Sequence, residues 1–202
     1  MFAQANKPLP FGALSLRLQA SCWWILGYLN IRPASIYKKL DETRSHVVSW
    51  TDASGVDRWI AVVLQVDGVF YWTRCQVEQG LVDIFLPRAD NHIGLLELLA
   101  PLLAWATFRS ELQGKLWTAF VDNQGVVRNL LKGTAASQEA NFLVGKLWTE
   151  LACAESALYV QRVESKSNVA DGPTRASVEY MEKLNASWRE PVLPIWIADI
   201  WL

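Results

Sequence analysis

The alternation of apolar and polar positions after residue 45 predicts a group of β-strands at the start of the folded region. Two β-rich runs, Trp59–Val66 and Val69–Val77, are separated by Asp67-Gly68, a dipeptide typical of two-residue hairpin turns. A strand from His46 to about Ala53 precedes them. Two further runs, Trp117–Val121 and Ala157–Val163, are predicted strands, and Leu81–Leu86 is a candidate for a short strand.

Between the later strands, apolar residues recur at helical spacing and predict helices. The four predicted helices cover about Ala34–Thr43, Asn91–Leu112, Asn123–Lys132 and Ser137–Leu151. Asn91 and Ser137 are suitable N-caps, and Gly133 is a suitable stop. Pro101 lies inside the second helix, where we expect a kink or an irregularity because proline removes a hydrogen bond.

The order of these elements indicates an α/β fold. Hairpin strands first, then alternating strands and helices, imply a mixed sheet with helices on its faces. The 202 residues suffice for one domain with extensions. We expect an extension at residues 1–45 that is in part helical, a domain at residues 46–176, and an apolar C-terminal tail at residues 177–202.

The composition narrows the class of protein but does not identify a binding partner. The chain is 51% hydrophobic and has 11 tryptophans, which excludes a disordered chain. The formal net charge of −1 neither supports nor excludes binding to nucleic acid. The three cysteines are an odd number without a CxxC pair, which argues against a disulfide framework or a zinc site and fits a reducing compartment.

The N-terminal region carries no secretion signal and no membrane anchor that we recognise. Its first apolar stretch is broken by proline and followed by Arg17. The most hydrophobic early run, SCWWILGYLNI, is about half the ~20 residues that a spanning helix needs. We therefore expect a soluble, intracellular protein without a membrane partner, in either the nucleus or the cytoplasm.

Four acidic residues are candidates for metal-dependent chemistry. Asp52 and Asp122 lie at the C-terminal ends of predicted strands, the edge where open α/β sheets bind ligands. Glu97 lies near the start of the intervening helix, and Asp171 lies beyond the last strand. Carboxylates brought together repel unless a cation neutralises them, and an all-oxygen set suits Mg²⁺ or Mn²⁺ rather than zinc. Two such ions could promote phosphodiester hydrolysis.

Each of these residues also has a simpler interpretation. An Asp after a strand is more often a turn residue or a helix cap. Glu97 stands in the apolar run Leu95–Leu99, where a carboxylate is costly unless it is paired, metal-bound or exposed at the rim of the helix.

The acidic residues occur in four short motifs that resemble those of a known family. In chain order they are Thr51-Asp52-Ala53-Ser54, Glu97-Leu98-Leu99-Ala100, Val121-Asp122-Asn123 and Asn168-Val169-Ala170-Asp171-Gly172-Pro173-Thr174-Arg175. They are similar to the ribonuclease H domain of retroelement reverse transcriptases, of LTR or tyrosine-recombinase retrotransposons. The resemblance covers about Val47 to Arg175, and it implies a ribonuclease H-like five-stranded sheet with three antiparallel strands followed by parallel ones.

The resemblance also implies an activity and roles for named residues. The implied activity is cleavage of the RNA strand of RNA–DNA hybrids, with two Mg²⁺ or Mn²⁺ ions as cofactors. An adjacent polymerase domain is a candidate partner. The implied metal ligands are Asp52, Glu97, Asp122 and Asp171. The candidates for substrate contacts or for support of the ligands are Ser54, Asn123, Asn168 and Arg175, of which Arg175 could equally be a solvated charge.

Two other functions remain open on the sequence, and a third is disfavoured by it. The loop at residues 164–167 lacks the histidine that many ribonucleases H place there, which favours a catalytically silent domain that binds nucleic acid or protein. An integrase or transposase of the same fold would use Glu150 or Glu155 on a late helix. A proofreading-type exonuclease would need Glu at the position of Ser54.

Overall fold

The computed structural model describes residues 44–85, 93–194 and 197, together with five helical positions upstream, Gln19, Cys22, Trp23, Ile25 and Leu26. The chain divides into two compact units, Met1–Lys39 and Leu40–Leu202. The predicted helix around Ala34–Thr43 and the proposed N-cap Asn91 lie outside the described residues. Among the residues that are described, none of the helices combines the length and the apolar character needed to cross a membrane.

The second unit is built on a mixed six-stranded sheet. Its strands are β1 His46–Ala53, β2 Trp59–Val66, β3 Val69–Gln76, β4 Leu116–Val121, β5 Ala157–Arg162 and β6 Ser187–Trp188, in the spatial order β5-β4-β1-β2-β3-β6. β1, β2 and β3 are antiparallel neighbours, whereas β4 and β5 run parallel to β1. This arrangement confirms the predicted ribonuclease H-like fold class, to which the structure adds the two-residue strand β6.

The helices occupy the connections between the strands. They are α1 Gln79–Phe85, α2 Ile93–Thr107, α3 Arg109–Leu112, α4 Gln124–Lys132, α5 Gln138–Cys153, α6 Asp171–Thr174 and α7 Glu179–Lys183. The longest predicted helix is split, since α2 ends at Thr107 and α3 follows after Phe108. Pro101 lies inside α2 and is buried with its neighbours.

The candidate strand Leu81–Leu86 was wrong, because residues 79–85 form the helix α1. The backbone amides of Leu81 and Val82 both donate to the carbonyl of Glu78. Gln79 Nε2 also donates to Asp83 Oδ1 at 2.7 Å, one helical turn further along the chain. Short apolar runs of this kind fit a helix and a strand equally well, and tertiary contacts decide between them.

Local turn and cap chemistry follows the sequence closely. Asp67 and Gly68 both have positive φ, 48° and 81°, as a type I′ hairpin turn requires. The Ser137 side chain accepts a hydrogen bond from the amide of Ala140 at the start of α5. Gly133 ends α4 in the left-handed conformation, with φ 66°.

Two apolar clusters stabilise the two faces of the sheet. Because side chains alternate along a strand, Ile60, Val62 and Leu64 of β2 join the large core, which also contains the buried face of α2. Val63 joins a smaller cluster with Ala170 and Met181. Part of the predicted C-terminal tail therefore packs on the sheet through α7, and β6 pairs with β3.

We expect Met181→Ala to lower the free energy of unfolding by about 2–5 kcal/mol, because the Met181 side chain is 1% exposed inside the smaller cluster. The neighbouring Tyr180 is 47% exposed, so Tyr180→Ala is the matched control and should change stability by less than about 1 kcal/mol. Urea denaturation measures both. A Met181→Ala effect as small as that expected of Tyr180→Ala would mean that packing of α7 does not stabilise the domain.

Candidate metal centre

Strand pairing brings the first two candidate ligands together. Asp52 is the penultimate residue of β1, and Asp122 directly follows β4. The two strands are parallel neighbours, with Thr51 opposite Val121 in the register. Their carboxyl ends therefore lie side by side, which places the two aspartates at one edge of the sheet.

Helix α2 supplies the third carboxylate from the core side. Leu96, Leu98 and Leu99 are buried on either side of Glu97, so the packing of α2 against the sheet fixes the position of this side chain. Asp52, Glu97 and Asp122 each offer a carboxylate oxygen, and these oxygens lie within 4.8 Å of one another. The side chains of Asp52 and Glu97 are only 4% and 5% exposed.

Two oxygen atoms in this group lack the partners that buried polar atoms normally have. Glu97 Oε2 and Asp122 Oδ1 are buried and form no hydrogen bond. An unpartnered buried carboxylate oxygen is costly, and a hard divalent cation is the ligand that satisfies several of them at once. The three residues therefore fit Mg²⁺ or Mn²⁺, in agreement with the predicted all-oxygen site.

Burial shifts the protonation of the two most enclosed carboxyls. Desolvation raises the pKa of Glu97 to about 9, and the negative charges of Asp122 and Asp52 add to this, against a lowering hydrogen bond from the backbone of Ala53. Desolvation also raises the pKa of Asp52 to about 6, although a hydrogen bond from Thr174 opposes the shift. Without a cation, Glu97 therefore retains its proton at neutral pH.

The fourth candidate, Asp171, lies at the margin of this group. It is the first residue of α6, and its carboxylate is outside the set of oxygens that lie within 4.8 Å of one another. Its Oδ1 atom accepts a hydrogen bond from Arg175 Nε at 2.8 Å, in an ion pair between the half-buried Asp171 and the exposed Arg175. Its negative charge still contributes to the raised pKa of Asp52.

The candidate substrate contacts have different surroundings. Asn168 is buried, and its side chain donates to the carbonyl of Thr51 and accepts from the amide of Ala170. Asn123 caps α4, with its Oδ1 atom accepting from the amides of Gly125 and Val126. Ser54 is half-buried, and its backbone amide donates to Trp59. Asn168 thus supports the site from inside, whereas the Oδ1 atom of Asn123 is engaged in capping its helix.

Two residues next to the carboxylates were not given a role by sequence reasoning. The Thr174 hydroxyl donates to Asp52 Oδ2, and the Ser165 hydroxyl donates to Asp122 Oδ2 at 2.8 Å. Thr174 stands inside the fourth motif, which was a usable signal. Ser165 lies in an ordinary polar loop, and nothing in the sequence distinguishes it from Ser167.

The two alternative glutamates are not part of the carboxylate group. Among the described residues, that group contains only Asp52, Glu97 and Asp122. Glu150 on α5 instead forms an ion pair with Arg109 at 2.9 Å. The geometry therefore disfavours the integrase or transposase interpretation, which requires a late-helix glutamate beside the two aspartates.

Comparisons with known proteins find only distant structural similarity. No family model matches the chain, and no curated protein matches it in sequence. Among solved structures, ribonuclease H1 of the halophilic archaeon Halobacterium salinarum NRC-1 is similar, with 12% identity, 68% of this chain and 98% of that chain covered, and a TM-score of 0.42. The N-terminal ribonuclease H domain of a Mycobacterium tuberculosis protein, solved as a fusion with maltose-binding protein, is also similar. Its identity is 12%, the match covers 70% of this chain and 96% of that chain, and the TM-score is 0.37. At these values neither similarity supports an activity, which must be argued from the carboxylates.

The raised pKa of Glu97 predicts how the stability of the metal-free protein depends on pH. The unfolded chain ionises Glu97 near 4.5, whereas the folded chain keeps the proton up to about 9. Between these values the folded state binds more protons, so the free energy of unfolding should fall as pH rises, by at most about 1.4 kcal/mol per pH unit.

Urea denaturation in EDTA between about pH 6.5 and 8.5 measures this slope. We expect Glu97→Gln to flatten it and Glu150→Gln, at a glutamate paired with Arg109, to leave it unchanged. A wild-type slope equal to that of Glu97→Gln would show that Glu97 ionises normally in the fold.

Proposed function

We propose that this protein is a metal-dependent endonuclease that cleaves the RNA strand of RNA–DNA hybrids. The observation that carries the proposal is the pair of buried oxygens without hydrogen bonds, Glu97 Oε2 and Asp122 Oδ1, in a group of three carboxylates. A domain retained only for binding gains nothing from such an arrangement, because burying the acids together without a cation costs either mutual repulsion or retention of a proton on Glu97. In a site that binds cations in contact with a phosphodiester, the same carboxylates serve as metal ligands.

The residues of the site would have distinct roles in metal binding and substrate binding. Asp52, Glu97 and Asp122 hold the metal, and Asp171 is the candidate fourth ligand, available once its carboxylate turns away from Arg175. When bound, Mg²⁺ or Mn²⁺ supplies Lewis acidity toward the phosphate oxygens and the attacking water, with two ions in the proposed mechanism. Ser54 and the side-chain amide of Asn123 remain candidates for hydrogen bonds to the nucleic-acid backbone.

The choice of substrate rests on the motifs rather than on the geometry. The fourth motif, Asn168 to Arg175, resembles the end of ribonuclease H domains in retroelement reverse transcriptases. We therefore propose an RNA–DNA hybrid as the partner and a retroelement origin, with an adjacent polymerase domain as a further candidate partner. The competing function is a silent binding module, and the engagement of Asp171 by Arg175 is the observation that favours it.

We expect the wild-type protein with Mg²⁺ or Mn²⁺ to cleave the RNA strand of a labelled hybrid. Asp122→Asn should reduce the rate by more than about 100-fold, because it weakens a direct ligand rather than an outer partner. Glu150→Gln should retain wild-type activity, since that glutamate pairs with Arg109 outside the site. Wild-type protein that binds the hybrid with or without metal, yet never cleaves it, would establish the binding module instead.

Metal binding should release protons, because the ligands must be ionised to bind a cation. At pH 7 the metal-free site holds a proton on Glu97, whose pKa is about 9, and a fraction of one on Asp52, whose pKa is about 6. We expect roughly one proton released per protein on Mn²⁺ binding, measured by calorimetry in buffers of different ionisation enthalpy. Glu97→Gln should abolish most of this release. Tight binding without any proton release would place the cation away from Glu97.

A further inference from the structure

Each aspartate of the site receives one hydroxyl from the same short segment of chain. This segment follows β5 and runs through a 3-10 turn, Ser165–Ser167, to the end of α6. The Ser165 hydroxyl, near its start, donates to Asp122 Oδ2 at 2.8 Å. The Thr174 hydroxyl, near its end, donates to Asp52 Oδ2. The two contacts are made by residues nine positions apart, to aspartates on neighbouring parallel strands.

The hydroxyl of Thr174 is the more enclosed of the two donors. Its side chain is 1% exposed, and its oxygen also lies 2.9 Å from the carbonyl of Asp171. A hydroxyl has one proton, so these two acceptors compete. The contact to Asp52 is the shorter one and involves a carboxylate, and hydrogen bonds to ionised acceptors are the stronger kind. Thr174 therefore directs its proton to Asp52 when Asp52 is ionised.

The hydrogen bond from Ser165 gives the two oxygens of Asp122 different surroundings. Oδ2 accepts from Ser165, whereas Oδ1 is buried without a partner. A carboxylate held at one oxygen presents the other in a defined direction, which a metal ligand needs. Asp52 is constrained in the same way, because its Oδ2 atom is bound to Thr174.

Other contacts fix the segment that carries the two hydroxyls. Asn168 Nδ2 donates to the carbonyl of Thr51 at 2.9 Å, next to Asp52 in β1. Arg74 of β3 donates to the carbonyl of Pro173 at 3.1 Å and stacks on the ring of Trp59. The segment is thus bonded to the sheet at Asn168, three residues after Ser165, and at Pro173, directly before Thr174.

We propose that Thr174 and Ser165 are positioning residues, which hold Asp52 and Asp122 so that one oxygen of each aspartate faces the metal. The inference rests on the proposed metal site and adds a role for two side chains to which no function had been given. It also gives a physical reason for a threonine next to Arg175, since only a short side chain with a hydroxyl can fill the buried position and donate to Asp52.

The test measures the affinity for Mn²⁺ alone, by calorimetry, without substrate. We expect Thr174→Val, which keeps the shape but removes the hydroxyl, and Ser165→Ala each to weaken the binding about 10- to 100-fold, the usual effect of losing an outer partner of a ligand. Thr174→Ser should restore most of the affinity. The metal-free melting temperature of each variant is recorded in parallel.

The chain offers a matched control for each variant. Thr73 in β3 is also a buried threonine, but its hydroxyl has no hydrogen-bond partner, so Thr73→Val should leave Mn²⁺ affinity unchanged. Ser167 lies two residues after Ser165 in the same exposed turn, and Ser167→Ala should likewise have no effect.

The outcomes separate the two levels of the proposal. Wild-type protein that does not bind Mn²⁺ would overturn the metal site and the inference together. Wild-type binding that survives Thr174→Val and Ser165→Ala would overturn the inference and leave the metal site standing. A lower melting temperature with unchanged Mn²⁺ affinity would assign the hydroxyls a purely structural role, which also overturns it. Loss of affinity with rescue by Thr174→Ser is the expected result.

Discussion

The enforced proximity of three carboxyl groups is the constraint around which the candidate site is organised. Asp52, Glu97 and Asp122 offer oxygens within 4.8 Å of one another, and two of the three side chains are almost completely buried. Such a group is unfavourable on its own, because burial and mutual repulsion both oppose ionisation. Raising the pKa of Glu97 to about 9 means that its ionised form costs several kcal/mol in the metal-free protein.

The apolar packing of α2 is what keeps Glu97 in this unfavourable position. Each fully buried leucine contributes about 1.5–3 kcal/mol, and α2 buries a continuous run from Leu96 to Trp105 between the sheet and the neighbouring helices. Bringing Glu97 to solvent would require moving this packed helix, so the apolar contacts of its neighbours hold the carboxyl in the group. The carboxyl is therefore held in place by the core, and a bound cation would remove a penalty that the core imposes. This is the physical link between the stability of the domain and its proposed chemistry.

The local parts of the fold were predictable because their causes lie within a few residues. Asp67-Gly68 adopts the two positive φ angles of a hairpin turn, and Ser137 caps its helix as its position suggested. The prediction failed at residues 81–86, where a short apolar run had no periodicity long enough to distinguish a strand from a helix. The strand β6 was not predicted either, because two residues carry no pattern of their own and pair only where β3 leaves an open edge.

For the site, the sequence determined the chemical type of the groups and the ends of the strands on which they lie. It supplied carboxylates at Asp52 and Asp122 and an acid at Glu97 inside an apolar run. The tertiary structure alone decided which oxygens converge, because Asp52 and Asp122 are 70 positions apart in the sequence and meet only through the parallel pairing of β1 with β4. It also turned Asn168 inward and placed the Thr174 hydroxyl on Asp52. Contacts of this kind depend on the register and packing of distant segments, which no local pattern of residues encodes.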